Sequence, residues 1–257
     1  MSTRMPVLFV GHGSPMNAIE DNEFSRAWRE LGKELPRPSA VLCISAHWYT
    51  NGTMVTAMKA PRTIHDFFGF PKPLFDVQYP APGSPEIAEQ VASMIKEAKV
   101  QADASWGLDH GTWSVLCRMY PSADVPVLQL SLDGRQPSQF HYELGRELAA
   151  LRDQGVLILG SGNIVHNLYE IDWGAGPPFT WAESFDESVK SRLTSRDDNA
   201  LIHYEEMDEA ARMSIPTNEH YLPMLYVLGA SNGGERLRFF NERVVYGSVG
   251  MRGFVLG

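Results

Sequence analysis

Apolar runs too short to be helices alternate with stretches whose apolar residues recur every three or four positions, and this holds along nearly the whole chain. Residues 6–10, 40–45, 125–130 and 155–160 are such runs, rich in Val, Leu and Ile. A run without polar interruption suits a parallel strand covered on both faces. Between the runs, Phe24, Trp28, Leu31 and Leu35 fall at helical spacing, and Pro36 stops that helix. Ser84 and Pro85 predict an N-cap and a first helical residue for a helix bearing Ile87, Val91, Met94 and Ile95. Leu144, Leu148 and Leu151 mark another helix. Residues 53–58 predict a strand beside the second run, and 61–85 read as a loop rich in Pro, Gly and Phe. Residues 180–212 read as polar and helical, 219–228 as an apolar helix, and 244–256 as two short strands. Strand–helix alternation of this kind is the α/β class. No linker, repeat or low-complexity tract divides residues 1–257, so one domain is expected.

Charge and hydropathy exclude several functions. Lys and Arg number 22 against 31 Asp and Glu, a net charge of −9. Nucleic acid and anionic membrane surfaces both call for a cationic face, so neither is an expected partner. The apolar stretch at residues 5–10 is too short for a signal peptide or a membrane span, which points to the cytoplasm. Cys43 and Cys117 each sit in an apolar run with no CxxC pair, as buried thiols of a reducing compartment do. Asn51-Gly52-Thr53 matches a glycosylation acceptor, a pattern without consequence in a chain that is not secreted.

The eight histidines carry the most chemical information. His12 follows the first run in Gly11-His12-Gly13-Ser14-Pro15-Met16. His47 follows the second in Ser45-Ala46-His47-Trp48, and His166 lies just beyond the run at 155–160. Parallel strands end on one edge of an open α/β sheet, and ligands bind there. A fourth, His220, opens the apolar helix. A lone histidine after a strand is more often a hydrogen-bonded turn residue than a ligand, but three delivered to one edge argue for a metal site. Three imidazoles leave positions open for water or substrate, which is the catalytic pattern. His141 and His203, in polar helical surroundings, are expected on the solvated surface. His110, before a helix at 113–119 with Thr112 as its N-cap, fits an acid/base, a substrate donor or a plain loop residue. The aromatic loop at 65–71 fits either an exposed hydrophobic wall or a segment folded onto the core. Ser14 and Ser161 lie outside any Gly-x-Ser-x-Gly motif, and neither Gly-rich stretch completes a nucleotide loop.

Six motifs in order resemble one family. They are Gly-His-Gly-Ser-Pro-Met at 11–16, Ser-Ala-His-Trp at 45–48 and His-Asp-Phe-Phe-Gly-Phe-Pro at 65–71. Leu-Asp-His-Gly-Thr-Trp at 108–113, Gly-Ser-Gly-Asn-Ile-Val-His-Asn at 160–167 and Glu-His-Tyr-Leu-Pro at 219–223 complete the set. The chain is similar to the 4,5-DOPA extradiol dioxygenase-like family within the class III, LigB-type extradiol ring-cleavage superfamily. The resemblance implies a single α/β domain with a central mixed, mostly parallel sheet flanked by helices, and one divalent metal, Zn2+ or Fe2+. It implies His12, His47 and His220 as metal ligands, with His166 either a further ligand or an acid/base. His110 and His166 are the implied catalytic residues, and His65, Phe68 and Ser14 the candidate substrate-binding ones. Many class III relatives complete the metal site with a carboxylate. Here His220 stands in that place, and Glu219 beside it is expected to point elsewhere. The implied reaction is ring opening of a small aromatic diol such as DOPA by O2, in a monomer or small homo-oligomer. A zinc-dependent hydrolase of a small amide or ester, and a metal-binding interaction module, are the alternatives.

Overall fold

The computed structural model describes residues 4–174 and 176–257. In chain order its strands are β1 (Val7–Gly11), β2 (Ala40–Thr50), β3 (Met54–Thr56), β4 (Gln101–Asp103), β5 (Val127–Asp133), β6 (Val156–Gly162), β7 (Leu237–Phe240), β8 (Val244–Val245), β9 (Val249–Gly250) and β10 (Gly253–Leu256). The helices are α1 (Glu23–Glu34), α2 (Lys72–Phe75), α3 (Pro85–Met94), α4 (His110–Met119), α5 (Ser138–Leu148), α6 (Thr180–Ser195), α7 (Asp198–Ile202), α8 (Glu209–Ser214) and α9 (Leu222–Ala230).

Eight strands form one sheet in the order β4-β3-β5-β2-β6-β1-β10-β7. Its centre, β5-β2-β6-β1, is parallel throughout, whereas β10 runs antiparallel to β1, and β3 antiparallel to β5. The mixed, mostly parallel α/β sheet is therefore present as expected. Side chains alternate between its faces. Val7, Phe9, Leu42 and Ile44 face the layer that holds α3, α5, α6 and α9. Leu8, Val10, Val41 and Cys43 face α1 and α4. Burial on both faces is why these strands are apolar at every position. Helix α9 is buried at every residue, and its tight fit on α5 relies on glycine: a Cβ on Gly229 would stand 2.1 Å from the Tyr142 carbonyl oxygen.

Several expectations need correction. The second strand does not end before His47; it continues to Thr50 past a register break between Ile44 and Tyr49. Residues 54–56 pair with β5 and β4 rather than β2, because β5 and β6 already take both edges of β2. Thr112 does not cap α4. Asp109 does, accepting from the Thr112 N–H, so His110 is the first residue of the helix. The helix after His220 begins at Leu222, with Pro223 in its first turn. Residues 244–256 hold three short strands, not two, and the polar segment 180–212 divides into three α-helices with a 3-10 turn at Tyr204–Glu206. His141 is fully buried, not solvated; its Nδ1 lies 3.1 Å from the Tyr226 hydroxyl. His203 is exposed and Cys43 buried, as expected, while Cys117 is half-buried. No helix among the described residues is long and apolar enough to cross a membrane.

Candidate metal centre

Three backbone elements deliver three imidazoles to one point. His12 directly follows β1, and its N–H is tied to the Gly162 carbonyl at 3.0 Å. His47 comes from β2 within the stretch where the register breaks, between Ile44 and Tyr49. His220 occupies the turn before α9, where its carbonyl accepts from the Asn163 N–H at 2.8 Å. Gly162 makes that approach possible, since a Cβ there would stand 2.1 Å from the His220 oxygen. One ring nitrogen from each of His12, His47 and His220 lies within 4.8 Å of the other two.

For His12 and His220, a hydrogen bond at the opposite ring nitrogen shows which atom each offers. The Ser161 hydroxyl donates to the Gly111 carbonyl at 2.5 Å, so it accepts from Nδ1 of His12 at 3.0 Å. Nδ1 of His47 lies 3.5 Å from Asp66 Oδ2, and Nδ1 of His220 lies 2.9 Å from Glu219 Oε1. With the proton on Nδ1 of His12 and of His220, Nε2 of each is left as a lone pair, the usual arrangement of a metal-ligating histidine, and the Asp66 carboxylate on the Nδ1 side of His47 favours the same tautomer there.

Those lone pairs fit a cation. Nε2 of His12 and Nε2 of His47 stand 3.1 Å apart, and Nε2 of His220 is buried without a partner among the described residues. Two nitrogens bound to one ion at about 2.0–2.1 Å would be separated by roughly 3.0–3.4 Å. Burial, and then repulsion from neighbouring imidazoles, holds all three well below the usual imidazole pKa, so the ligand-competent neutral form prevails. Neutral nitrogen donors of this kind suit zinc or iron(II).

Two further histidines flank the trio. His166 stacks on His220, with ring centroids 3.4 Å apart and planes 12° from parallel. A ligating lone pair lies in the ring plane, so a stacked His166 is aimed about one ring thickness away from an ion in the plane of His220. Burial, followed by repulsion from the neighbouring His110 ring, lowers its pKa to about 4. The His110 ring centroid lies 3.8 Å from that of His47. Asp66 lies against His110 at two points: Oδ1 accepts its backbone N–H at 2.9 Å, and Oδ2 lies 3.0 Å from its Nδ1 without the alignment of a hydrogen bond. Burial alone would raise the Asp66 pKa, but His110 and His47 together hold it below the usual carboxylate value.

Of the residues expected to meet substrate, none lies among the clustered imidazoles. Phe68 is 93% exposed. Nε2 of His65 is 3.0 Å from the Val77 carbonyl, and Ser14 caps the Met16 N–H while lining a cavity of about 460 Å3 with Tyr246 and Met251. It is Phe67 that meets His110, edge to face at 5.5 Å, so the aromatic loop is partly folded in and partly exposed. Sequence reasoning missed Asp66, Asp109 and Ser161 as supports, although each sits inside a quoted motif beside a singled-out histidine or glycine. It also expected Glu219 to point away from His220. In the turn before α9 the two side chains instead meet.

Residues 5–256 match the family described as the catalytic LigB subunit of aromatic ring-opening dioxygenase. The chain is 50% identical over 261 residues to a protein of Escherichia coli (strain K12) named 4,5-DOPA dioxygenase extradiol, covering 100% of this chain and 96% of that one. It is 38% identical over 240 residues to a protein of the same name from Beta vulgaris, covering 91% of this chain and 90% of the relative. A crystal structure of an uncharacterized Escherichia coli K12 protein superimposes with a TM-score of 0.87 at 46% identity, covering 99% of this chain and 100% of that one.

Proposed function

Because the chain belongs to the family of LigB catalytic subunits of aromatic ring-opening dioxygenases, we propose that it is a metal-dependent extradiol dioxygenase. Its substrate is a catechol, DOPA or a close relative, the compound that the names of its relatives carry. The observation that carries this reading is the facing of the His12 and His47 Nε2 lone pairs at 3.1 Å beside an unpartnered His220 Nε2.

A divalent ion held by Nε2 of His12, His47 and His220 would supply Lewis acidity toward the diol and, as iron(II), redox chemistry toward dioxygen. The protein's share is proton handling and placement. Asp66 beside Nδ1 of His110 leaves Nε2 of that ring to accept a hydroxyl proton from the bound diol. His166, neutral at pH 7 and stacked on His220, is a second place for a proton. Phe67 gives the substrate ring an apolar edge beside His110. Both oxygen atoms of O2 enter the product, a ring-opened semialdehyde acid.

The test is ring opening itself. Iron(II)-loaded protein should convert L-DOPA to a yellow ring-opened product, and His12→Ala, His47→Ala or His220→Ala should abolish it. Ring opening retained by any of the three would refute the assignment.

A further inference from the structure

The three imidazoles of the centre are not backed alike. Nδ1 of His12 donates to a neutral hydroxyl, that of Ser161. Nδ1 of His47 faces Asp66 at 3.5 Å, but the same oxygen lies nearer to His110, at 3.0 Å. Of the three, His220 alone has a carboxylate to itself, with Nδ1 2.9 Å from Glu219 Oε1. The Thr217 hydroxyl donates to that oxygen as well, at 2.9 Å. Among the described residues no Lys or Arg nitrogen lies within 4.0 Å of Glu219, so no fixed cation offsets its charge before it reaches the His220 ring. The turn that brings the two adjacent side chains together is held at both ends. The Asn218 carbonyl accepts from the N–H groups of Tyr221 and Leu222, and the His220 carbonyl accepts from that of Asn163. Side-chain exposure falls from 24% at Glu219 to 8% at His220, so the carboxylate is open to solvent on one side and faces a closed ring on the other.

A divalent ion on three neutral imidazoles keeps its full double charge, whereas a set of two histidines and one carboxylate cancels one unit of it. A carboxylate behind a ligating histidine draws on its Nδ1 proton and strengthens the donor nitrogen across the ring. We infer that Glu219 supplies the missing negative charge through the His220 ring. His220 is then the strongest donor of the three. Glu219 is a positioning residue that sets the affinity and the reduction potential of the metal without occupying a coordination position, so the open positions stay free. The inference rests on the three-histidine centre of the reading above and adds to it the means by which that centre is tuned.

Two variants separate charge from hydrogen bonding. The amide oxygen of Glu219→Gln can still accept from His220 and Thr217, so the contact stays and the charge goes. Glu219→Asp keeps the charge on a shorter arm. Titration of the apoproteins with Zn(II) should find the unaltered protein tightest, Glu219→Asp next, and Glu219→Gln weakest by about 10–100-fold. Spectroelectrochemistry of the iron-loaded proteins supplies a readout that ring orientation alone would not move. Loss of a negative charge weakens iron(III) binding more than iron(II) binding, so Glu219→Gln should raise the reduction potential. The rise is about 59 mV for each tenfold difference between the two losses. Unchanged zinc affinity in Glu219→Gln, or a lower affinity with an unmoved potential, would overturn the inference. If the unaltered apoprotein takes up neither zinc nor iron(II), the centre itself is wrong and the role of Glu219 falls with it. If the predicted ranking and potential shift are found but no catechol is opened, the ring-opening reading fails and the role of Glu219 stands.

Discussion

One carboxylate oxygen of Asp66 lies 3.0 Å from Nδ1 of His110 and 3.5 Å from Nδ1 of His47, so a single charged side chain faces both one imidazole of the trio and the imidazole beside it. Asp66→Asn keeps the shape but puts a neutral amide where a charge faced two imidazoles. Removing such a support from a metal-bound histidine typically costs about 10–100-fold in affinity or activity. Titration of the apoprotein with zinc and turnover of L-DOPA should both fall by amounts in that range. Unchanged metal affinity together with unchanged kcat would contradict the bracing role.

His166 stacks on His220 instead of sharing its plane, and metal content reads whether it is a ligand. Alanine at His12, His47 or His220 should leave less than about a tenth of an ion per chain after dialysis, since two neutral nitrogens hold a divalent ion poorly. His166→Ala should keep its metal and lose turnover. Metal lost from the His166 variant, at the level of the other three, would make His166 a ligand.

His141 adds a pH term to stability away from the centre. Burial lowers its pKa from 6.5 to about 4. The unfolded chain then binds a proton that the folded chain refuses, so this contribution is complete above pH 6.5 and is lost as pH falls toward about 4. Its full size is up to about 3 kcal/mol. Melting temperatures measured on the apoprotein from pH 8 to 4 should fall less steeply for His141→Gln than for the unaltered protein. Parallel curves would place the acid sensitivity elsewhere.

Gly162 gives a steric prediction. A Cβ there would meet the backbone oxygen of His220 at 2.1 Å, whereas one on Gly234 would meet nothing within 4 Å. Gly162→Ala must push the turn carrying His220 away from β6, at a cost of about 1–3 kcal/mol. Melting temperature and zinc affinity should both drop, with Gly234→Ala as the unaffected control. An intact Gly162→Ala protein with normal zinc affinity would mean that His220 is not held by this contact.

The parallel centre of the sheet was legible because burial on both faces writes an unbroken apolar run, as in Val7 to Val10. The edge strand Gln101–Asp103 was not, since it is short and its residues are exposed or half-buried. His141 misled because its neighbours in sequence are polar, while the face of α5 it occupies packs on the wholly buried α9. At the centre, His12 and His47 could be read from their places near strand ends, and His220 from its place before an apolar helix. Their partners were less visible: Asp66 comes from a loop remote in sequence from His47 and His110, and only the fold brings it to both. The stacking of His166 on His220 likewise depends on how the turn before α9 folds back onto β6.

The central claim is that the three-histidine centre spends O2 on a catechol ring. Oxygen consumption should be measured with L-DOPA after anaerobic loading with Fe(II) and, in parallel, with Zn(II), which has no redox chemistry to offer O2. The iron protein should consume one O2 per L-DOPA and form a yellow product, and the zinc protein should consume none. No uptake in the iron-loaded protein, with hydrolysis of an ester or amide by the zinc form, would contradict it.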